Sequence, residues 1–462
     1  MAIPNWLHLS TLSGSGDTIV TITADTWESL TSRTASLVVS GNTKSVTVPV
    51  TQDPHDFADD YLTFRITSVG TIRWTRDKLG SYQATPKAIQ YSKNGGEWTT
   101  IWSSIASASP GTYIDVYEGD VLEFKGDNET YWNYVSSGNM WMCGGSFQKS
   151  TAGFTVEGNI MSLIDSENFR NLTTLTGSRA FAEMFGDANG YTRDFCPGLT
   201  SVRNLTLPAT TLSEHCYEGM FGGCTALTDS PVICATTMTE YCYAYMFDSC
   251  SSLVNPPSLP STTLAPNCYY AMFAGCTSLV NPPTLPATTL EITCYGYMFE
   301  QCSSLASAPV LPATTMFTSC YIGMFHQCTA LTTPPALPAT TLALRCYSEM
   351  FEGCSALTSA PSLPATTLAN ACYIGMFKYC TSLTTSPVLP ATTLATGCYN
   401  SMFIGCSALT SITSYATTNI TQSELYRWTE GVASAGTFTK VASASWPSGA
   451  NGIPYNWTVV SV

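Results

Sequence analysis

The chain has 462 residues, of which only 11% are charged, and its net charge is −14. The charged fraction is less than half the ordinary value of about 25%, so Ser, Thr, Gly, Asn and Pro carry the polarity instead. An acidic chain without a basic stripe repels phosphate backbones, which excludes nucleic acid as a partner, and no apolar run reaches the roughly 18 residues of a spanning helix, so no membrane insertion is expected.

A hydrophobic fraction of 44% is enough for a core, and the length allows two to four domains. Residues 1–52 open with MAIPNWLHLS, which lacks the basic and apolar regions of a secretory signal. The expectation is therefore synthesis in a host cytoplasm and exit by another route, such as lysis. TIVTITAD, TASLVVSG and KSVTVPVTQ alternate apolar and polar residues as half-buried strands do, with turns at Ser13-Gly14-Ser15-Gly16 and Ser40-Gly41-Asn42. In that order, with Asn5-Trp6-Leu7 ahead of them, these segments resemble the BACON domain, an immunoglobulin-like β-sandwich frequent in Bacteroidetes proteins and their phages. The resemblance covers the last two-thirds of that domain. It implies a truncated module or one completed by a partner's strand.

Residues 53–162 also read as strands, with hairpin signals at Lys93-Asn94-Gly95-Gly96 and Lys125-Gly126-Asp127-Asn128. Trp74, Trp98, Trp102, Trp132 and Trp141 make this a Trp-rich piece, expected to be a second β-sandwich.

Residues 163–420 are an array. Cys216, Cys242, Cys268, Cys294, Cys320, Cys346, Cys372 and Cys398 stand 26 residues apart, and a second series runs in step from Cys224 to Cys406. A fixed period of this size marks a solenoid, in which each unit contacts only its neighbours. A degenerate unit precedes the regular ones: Phe181, Met184-Phe185 and Cys196 echo the later Tyr, Met-Phe and Cys, with an insertion around Asp187 to Asp194. In LPATTLANACYIGMFKYCTSLTTSPV, residues 363–388, Leu368, Cys372 and Met376 fall at i, i+4 and i+8, with Tyr373 and Phe377 beside them. That spacing predicts a short amphipathic helix capped by Thr366 or Thr367, stopped by glycines such as Gly223, Gly275, Gly353 and Gly405, then one short strand limited by prolines. The pattern is similar to the BspA-like (Treponema-type) leucine-rich repeat, whose motif runs LP, an apolar residue, then AF-x-x-C-x-x-L. Here Met-Phe replaces Ala-Phe and the unit is 26 residues rather than 23. The resemblance implies a right-handed coil with a strand and a short helix per turn. Residues 421–462 leave the period; Trp428, Trp446 and Trp457 return, and GTFTKVASASW and NWTVVSV read as strands of a β cap. The expected class is thus mainly β with α/β repeats: two β-sandwich modules, a 26-residue-unit solenoid and a β cap.

Two cysteines eight residues apart on a helix are about 12 Å apart, too far for a disulfide, and C-x7-C is no zinc spacing. Two columns of buried thiols are the first reading, inter-unit disulfides the alternative and metal ligation the last. The Tyr and Met-Phe columns read as core. Positions that vary between units face outward instead: Tyr245 and Tyr297, Tyr270, Ile322, Ile374, His326, Lys378 and Tyr379. Flat aromatic faces suit the C–H faces of sugars, so Tyr245, Tyr270 and Tyr297 are candidate carbohydrate contacts. So are Tyr131, Trp132, Tyr134 and Trp141, which lie beside Glu129, Asn133 and Asn139.

No catalytic constellation emerges. His8, His55, His215 and His326 are scattered, and Gly41-Asn42-Thr43-Lys44-Ser45 is a turn rather than a phosphate loop. Asp115, Glu118, Asp120, Asp127 and Glu129 do not follow an EF-hand and read as surface acids. No metal and no cofactor are expected. The combination looks like proteins of gut Bacteroidetes phages, including crAss-like phages. It implies a non-enzymatic virion surface protein, a head or tail fibre or decoration. Such a protein docks on other virion proteins, forms a homo-oligomer, and holds host glycan or mucin outside the cell after lysis. The alternatives are an exported bacterial adhesin of the BspA-like type, and an enzyme that degrades glycans with accessory modules.

Overall fold

The computed structural model describes residues 56–75, 87–103, 111–128, 145–186 and 196–462 in full, with the backbone of six strands inside 1–55 and 76–86. The chain forms two compact units, residues 1–60 and 61–462.

In the first unit, β1 (Leu7–Leu9) pairs antiparallel with β2 (Ile22–Ala24), and β3 (Arg33–Ser40) with β4 (Ser45–Gln52). Ser40 faces Ser45, and residues 41–44, which include Gly41 and Asn42 of the expected turn, lie outside the described residues. The Gly-rich turn expected at residues 13–16 lies outside the described residues.

The second unit begins with β5 (Leu62–Ser68) and β6 (Gly70–Trp74), then the short β7 (Lys78–Leu79) and β8 (Tyr82–Gln83). After these come β9 (Ala88–Lys93), β10 (Thr99–Trp102), β11 (Thr112–Val116), β12 (Val121–Lys125) and β13 (Gly153–Asn159). β10, β9, β12, β5 and β13 are antiparallel neighbours in one sheet, and β11 pairs with β6 in another. The first hairpin signal holds: Asn94 (φ 55°) and Gly95 (φ 70°) turn β9 into β10. At the second, no hairpin is seen among the described residues. Instead, the Gly126 and Asn128 amides donate to the carbonyls of Ser162 and Ile164, both at 2.9 Å, because the chain leaves β12 alongside a 3-10 turn at Ile160–Leu163. Phe64, Phe124, Phe147 and Phe154 fill the core with Trp74, whose Nε1 donates to the Lys87 carbonyl at 3.0 Å. Of the other tryptophans expected here, Trp98 sits edge-on to Tyr61 and Trp102 is exposed.

β13 next pairs in parallel with β14 (Leu199–Leu207), which pairs in parallel with β15 (Val232–Ile233). One seven-stranded sheet thus changes from antiparallel to parallel as the 26-residue units begin.

Within the units the expected helix does not form. The only α-helix among the described residues is α1 (Gln422–Leu425). Around Cys372 the chain makes consecutive turns instead. Amides of even-numbered residues donate locally, Ile374 to Ala371 and Met376 to Tyr373, at 3.3 and 3.2 Å. Amides of odd-numbered residues donate to the next coil: Tyr373 to Cys398, Gly375 to Asn400, and Phe377 to Met402, at 3.1, 2.8 and 3.0 Å. Every fourth residue is left-handed: Ala371, Gly375 and Tyr379 at φ 57°, 59° and 61°; Tyr241, Tyr245 and Ser249 at 54°, 57° and 59°. An α-helix would direct all its amides along its own axis and leave only side chains to join coils. The turn chain satisfies every second amide across the coil boundary, as a parallel ladder does. A non-glycine residue in that region costs about 1–2 kcal/mol. Glycine removes that cost at Gly223 and Gly353, both at φ 76°, which are left-handed as expected although they stop no helix.

The extended stretch between turn chains is mostly single parallel bridges, such as Thr263–Thr289 and Thr341–Thr367, because Pro256-Pro257, Pro282-Pro283 and Pro334-Pro335 remove ladder donors. Thr367 thus belongs to this ladder and caps no helix. Where proline is absent, as in β14 and in β17 (Ser411–Ser414), full strands appear. β16 (Thr385–Leu389), β17, β18 (Thr437–Lys440) and β19 (Thr458–Ser461) form a parallel four-stranded sheet, which includes both strands expected after residue 421.

Inside the coils, the Tyr column from Tyr217 to Tyr399 and the Phe column from Phe221 to Phe403 stack ring on ring. Neighbouring centroids are 5.5 Å apart at Tyr217–Tyr243 and 6.2 Å at Tyr373–Tyr399. Phe181 and Phe185 extend both columns backward, at 6.1 and 5.5 Å from the next rings. Trp428 closes them forward, packing on Tyr399 and Phe403 at 6.1 and 6.0 Å.

Candidate functional site

Every described cysteine is a free thiol, and the sixteen column cysteines are buried. Burial pushes the Cys242 and Cys406 thiols up to about 12, so the thiolate needed for metal binding or nucleophilic attack is suppressed. Among the described residues, no group of three or more His, Cys, Asp or Glu could hold a metal ion. The second column does more than fill space. Cys276, Cys302, Cys328, Cys354, Cys380 and Cys406 each donate S–H to the Phe carbonyl of the preceding coil, at distances such as 3.2, 3.1 and 3.0 Å for the first three. Cys234, which replaces the usual proline of the LP pair, is only partly buried.

Two of the five acids at 115–129 are engaged by neighbouring donors, and Glu129 lies outside the described residues. Asp120 is held at about 2 by hydrogen bonds from Lys93, Asn94 and the Tyr117 amide, and Asp127 accepts from the Ser166 amide and hydroxyl at 3.0 and 2.7 Å. A cavity of about 270 Å³ lies among Pro282, Pro283, Leu285, Pro286, Pro309 and Val310, and its lining carries no titratable side chain.

The outward residues form the most organised surface. Tyr245, Tyr270 and Tyr297 come from three successive units and pack edge to face, with centroids 5.3 and 5.8 Å apart and both interplanar angles 72°. His326 continues the row 6.4 Å from Tyr297. The structure therefore brings together the three array tyrosines singled out from sequence. Tyr131, Trp132, Tyr134 and Trp141 lie outside the described residues.

Small residues make room for the row. A β-carbon on Gly323, which holds the same unit position as Tyr297 one coil later, would overlap the Tyr297 ring; a β-carbon on Gly405 would come within 2.5 Å of the Tyr379 ring. The Tyr297 hydroxyl passes over Gly323 and donates to Glu349 Oε2 at 3.2 Å, two coils on. His326 Nδ1 lies 2.9 Å from Glu300 Oε1, and Lys378 Nζ lies 2.7 Å from Glu352 Oε1. At the other end, the His215 ring stacks on Tyr241 at 4.7 Å, and Glu218 joins His215 to Arg179, both at 2.8 Å. Burial, then the neighbouring Tyr270, push the Tyr245 hydroxyl well above the usual phenol range. Burial and then Glu349 do the same at Tyr297. Both hydroxyls therefore stay neutral donors. Sequence reading missed Glu218, Glu300, Glu349 and Glu352, because single acids at irregular unit positions give no spacing signal.

Residues 3–53 match the BACON family model, described as "Putative binding domain, N-terminal". No curated protein and no solved structure matches the chain.

Proposed function

We propose that this chain is a non-enzymatic adhesion protein of a phage virion surface, part of a head or tail fibre or decoration. In this reading the 26-residue coils are a leucine-rich-repeat solenoid of the BspA-like type, which presents an aromatic row to host or mucosal glycans. The N-terminal module docks on other virion proteins, and several copies act together, so weak single contacts add through effective concentration.

The observation that carries the reading is the row itself: Tyr245, Tyr270 and Tyr297 are aligned on a stack whose backbone is hydrogen-bonded from coil to coil. Binding residues placed on a regular scaffold lose little freedom when a ligand arrives. The match of residues 3–53 to a binding-domain family supports a binding role for the other end. Quantitative proteomics of purified particles tests the location. A stoichiometric copy number is expected, and absence from particles that package normally refutes the virion assignment.

A further inference from the structure

We infer that the row Tyr245–Tyr270–Tyr297 is a binding strip for one linear, neutral oligosaccharide lying along the stack, one pyranose per coil. The inference rests on the glycan-adhesion reading above and narrows it to a glycan class, a direction and a minimum length.

Direction follows from connectivity. The three rings belong to consecutive units, so the line through them runs from coil to coil along the stack. A ligand that meets all three must repeat an apolar contact once per coil, at the 5.3 and 5.8 Å steps of the row. An extended peptide presents a side chain on one face only every about 6.6–6.8 Å, and drifts out of step. A linear chain of pyranoses carries C–H groups on every unit and equatorial hydroxyls at its rim, which suits a row of alternating aromatic faces and edges flanked by carboxylate acceptors.

Charge sets the class. Along this face stand the carboxylates Asp248, Glu300, Glu349 and Glu352 and the cations Arg345 and Lys378, with Lys378 bound to Glu352; Glu218 and Arg179 form a buried pair at the other end. Glu300 and Glu349 lie at the Tyr297 end with no Lys or Arg in contact in the described ion pairs. A uronate, sialate or sulfate entering there meets like charge, while a neutral sugar hydroxyl meets an acceptor.

The array supplies its own test variants. At the unit position of Tyr245 and Tyr297, other coils carry Gly219, Gly323 and Gly375; at that of Tyr270, another carries Ser348. The replacements Tyr245→Gly, Tyr297→Gly and Tyr270→Ser therefore copy neighbours, and the glycines also relieve left-handed φ values of 57° and 54°. The experiment is calorimetric titration of the full chain with neutral β-linked glucose and N-acetylglucosamine oligomers of one to six units, and with oligogalacturonates of matched length. Affinity for neutral oligomers is expected to rise by about tenfold for each unit up to three and then flatten. Oligogalacturonates should bind at least about tenfold more weakly at low salt, with the gap narrowing as salt screens it. The triple variant should reduce trimer affinity to that of the monosaccharide while keeping a single cooperative melting transition. Affinity independent of length, tighter binding of the oligogalacturonates, or an unaffected triple variant overturns this inference while leaving glycan adhesion standing. No binding to any glycan overturns both.

Discussion

Replacing Trp428 by alanine tests whether the stack behaves as a one-dimensional chain of coils. The side chain is fully buried, stacks on Tyr399, lies against Phe403 and Trp446, and donates through Nε1 to the Gly452 carbonyl at 2.9 Å. Thr429 also donates to that carbonyl at 3.1 Å, so truncation strands no acceptor and the loss is one of packing. Deleting a buried indole costs about 3–5 kcal/mol. If each coil feels only its neighbours, that loss falls on the closing end. Amides from about Tyr399 onward should then exchange with solvent about 10²- to 10⁴-fold faster, measured by hydrogen–deuterium exchange and mass spectrometry. Amides of the distant coils, such as Tyr217 to Phe247, should keep their protection. Trp428→Phe retains the stacking and should give a far smaller effect. Uniform acceleration from Tyr217 to the end would refute the reasoning, because it would mean that the columns unfold as one cooperative block.

Three further outcomes are expected. Cys302→Ala should lower stability to chemical denaturation by about 1–2 kcal/mol, because it removes the thiol bond to the Phe273 carbonyl and one sulfur from the core, whereas Cys302→Ser should lose less by keeping a donor; equal losses would leave the thiol bond without a role. Maleimide at pH 8 under native conditions, followed by peptide mapping, should label Cys234 while sparing Cys216 through Cys406 in the two columns, and rapid labelling of column peptides would contradict their burial. The His326 imidazole is raised above its ordinary value of 6.5, first by its hydrogen bond to Glu300, against the opposing effect of burial, and then by the charges of Glu300, Glu352 and Glu349. Its stabilising contribution is therefore full below about 6.5 and fades as pH rises through the raised value. The melting-temperature deficit of His326→Gln should be larger at pH 5.5 than at pH 8.5, and the reverse order would refute this assignment.

The 26-residue period, the Tyr and Phe columns and the buried thiols were legible because stacking in register demands identity at each core position. The helix was misread for a specific reason. Leu368, Cys372 and Met376 show a period of four, and over nine residues a period of 3.6 looks the same. The left-handed φ at every fourth residue is the cause of that period, and it leaves only a weak glycine bias in the sequence: Gly375 obeys it, but Tyr379 and Ala371 do not. The outward tyrosines were found because they break the repeat. What made them a row was also written there, unread: at one unit position the order runs Tyr245, Ala271, Tyr297, Gly323, Glu349, Gly375, large alternating with small. Each ring needs a gap in the next coil. The ion pairs and hydrogen bonds around the row join residues 26 and 52 positions apart, as Glu300 with His326 and Tyr297 with Glu349 do, and only the stacking reveals them.

The most direct measurement of the adhesion claim is a glycan array probed with the intact chain beside the Tyr245→Gly, Tyr270→Ser, Tyr297→Gly variant. The expected result is signal on linear neutral glycans for the intact chain and its loss in the equally folded variant. Identical arrays for both proteins, or no signal for either, would contradict the claim that this face of the stack is where the protein holds its ligand.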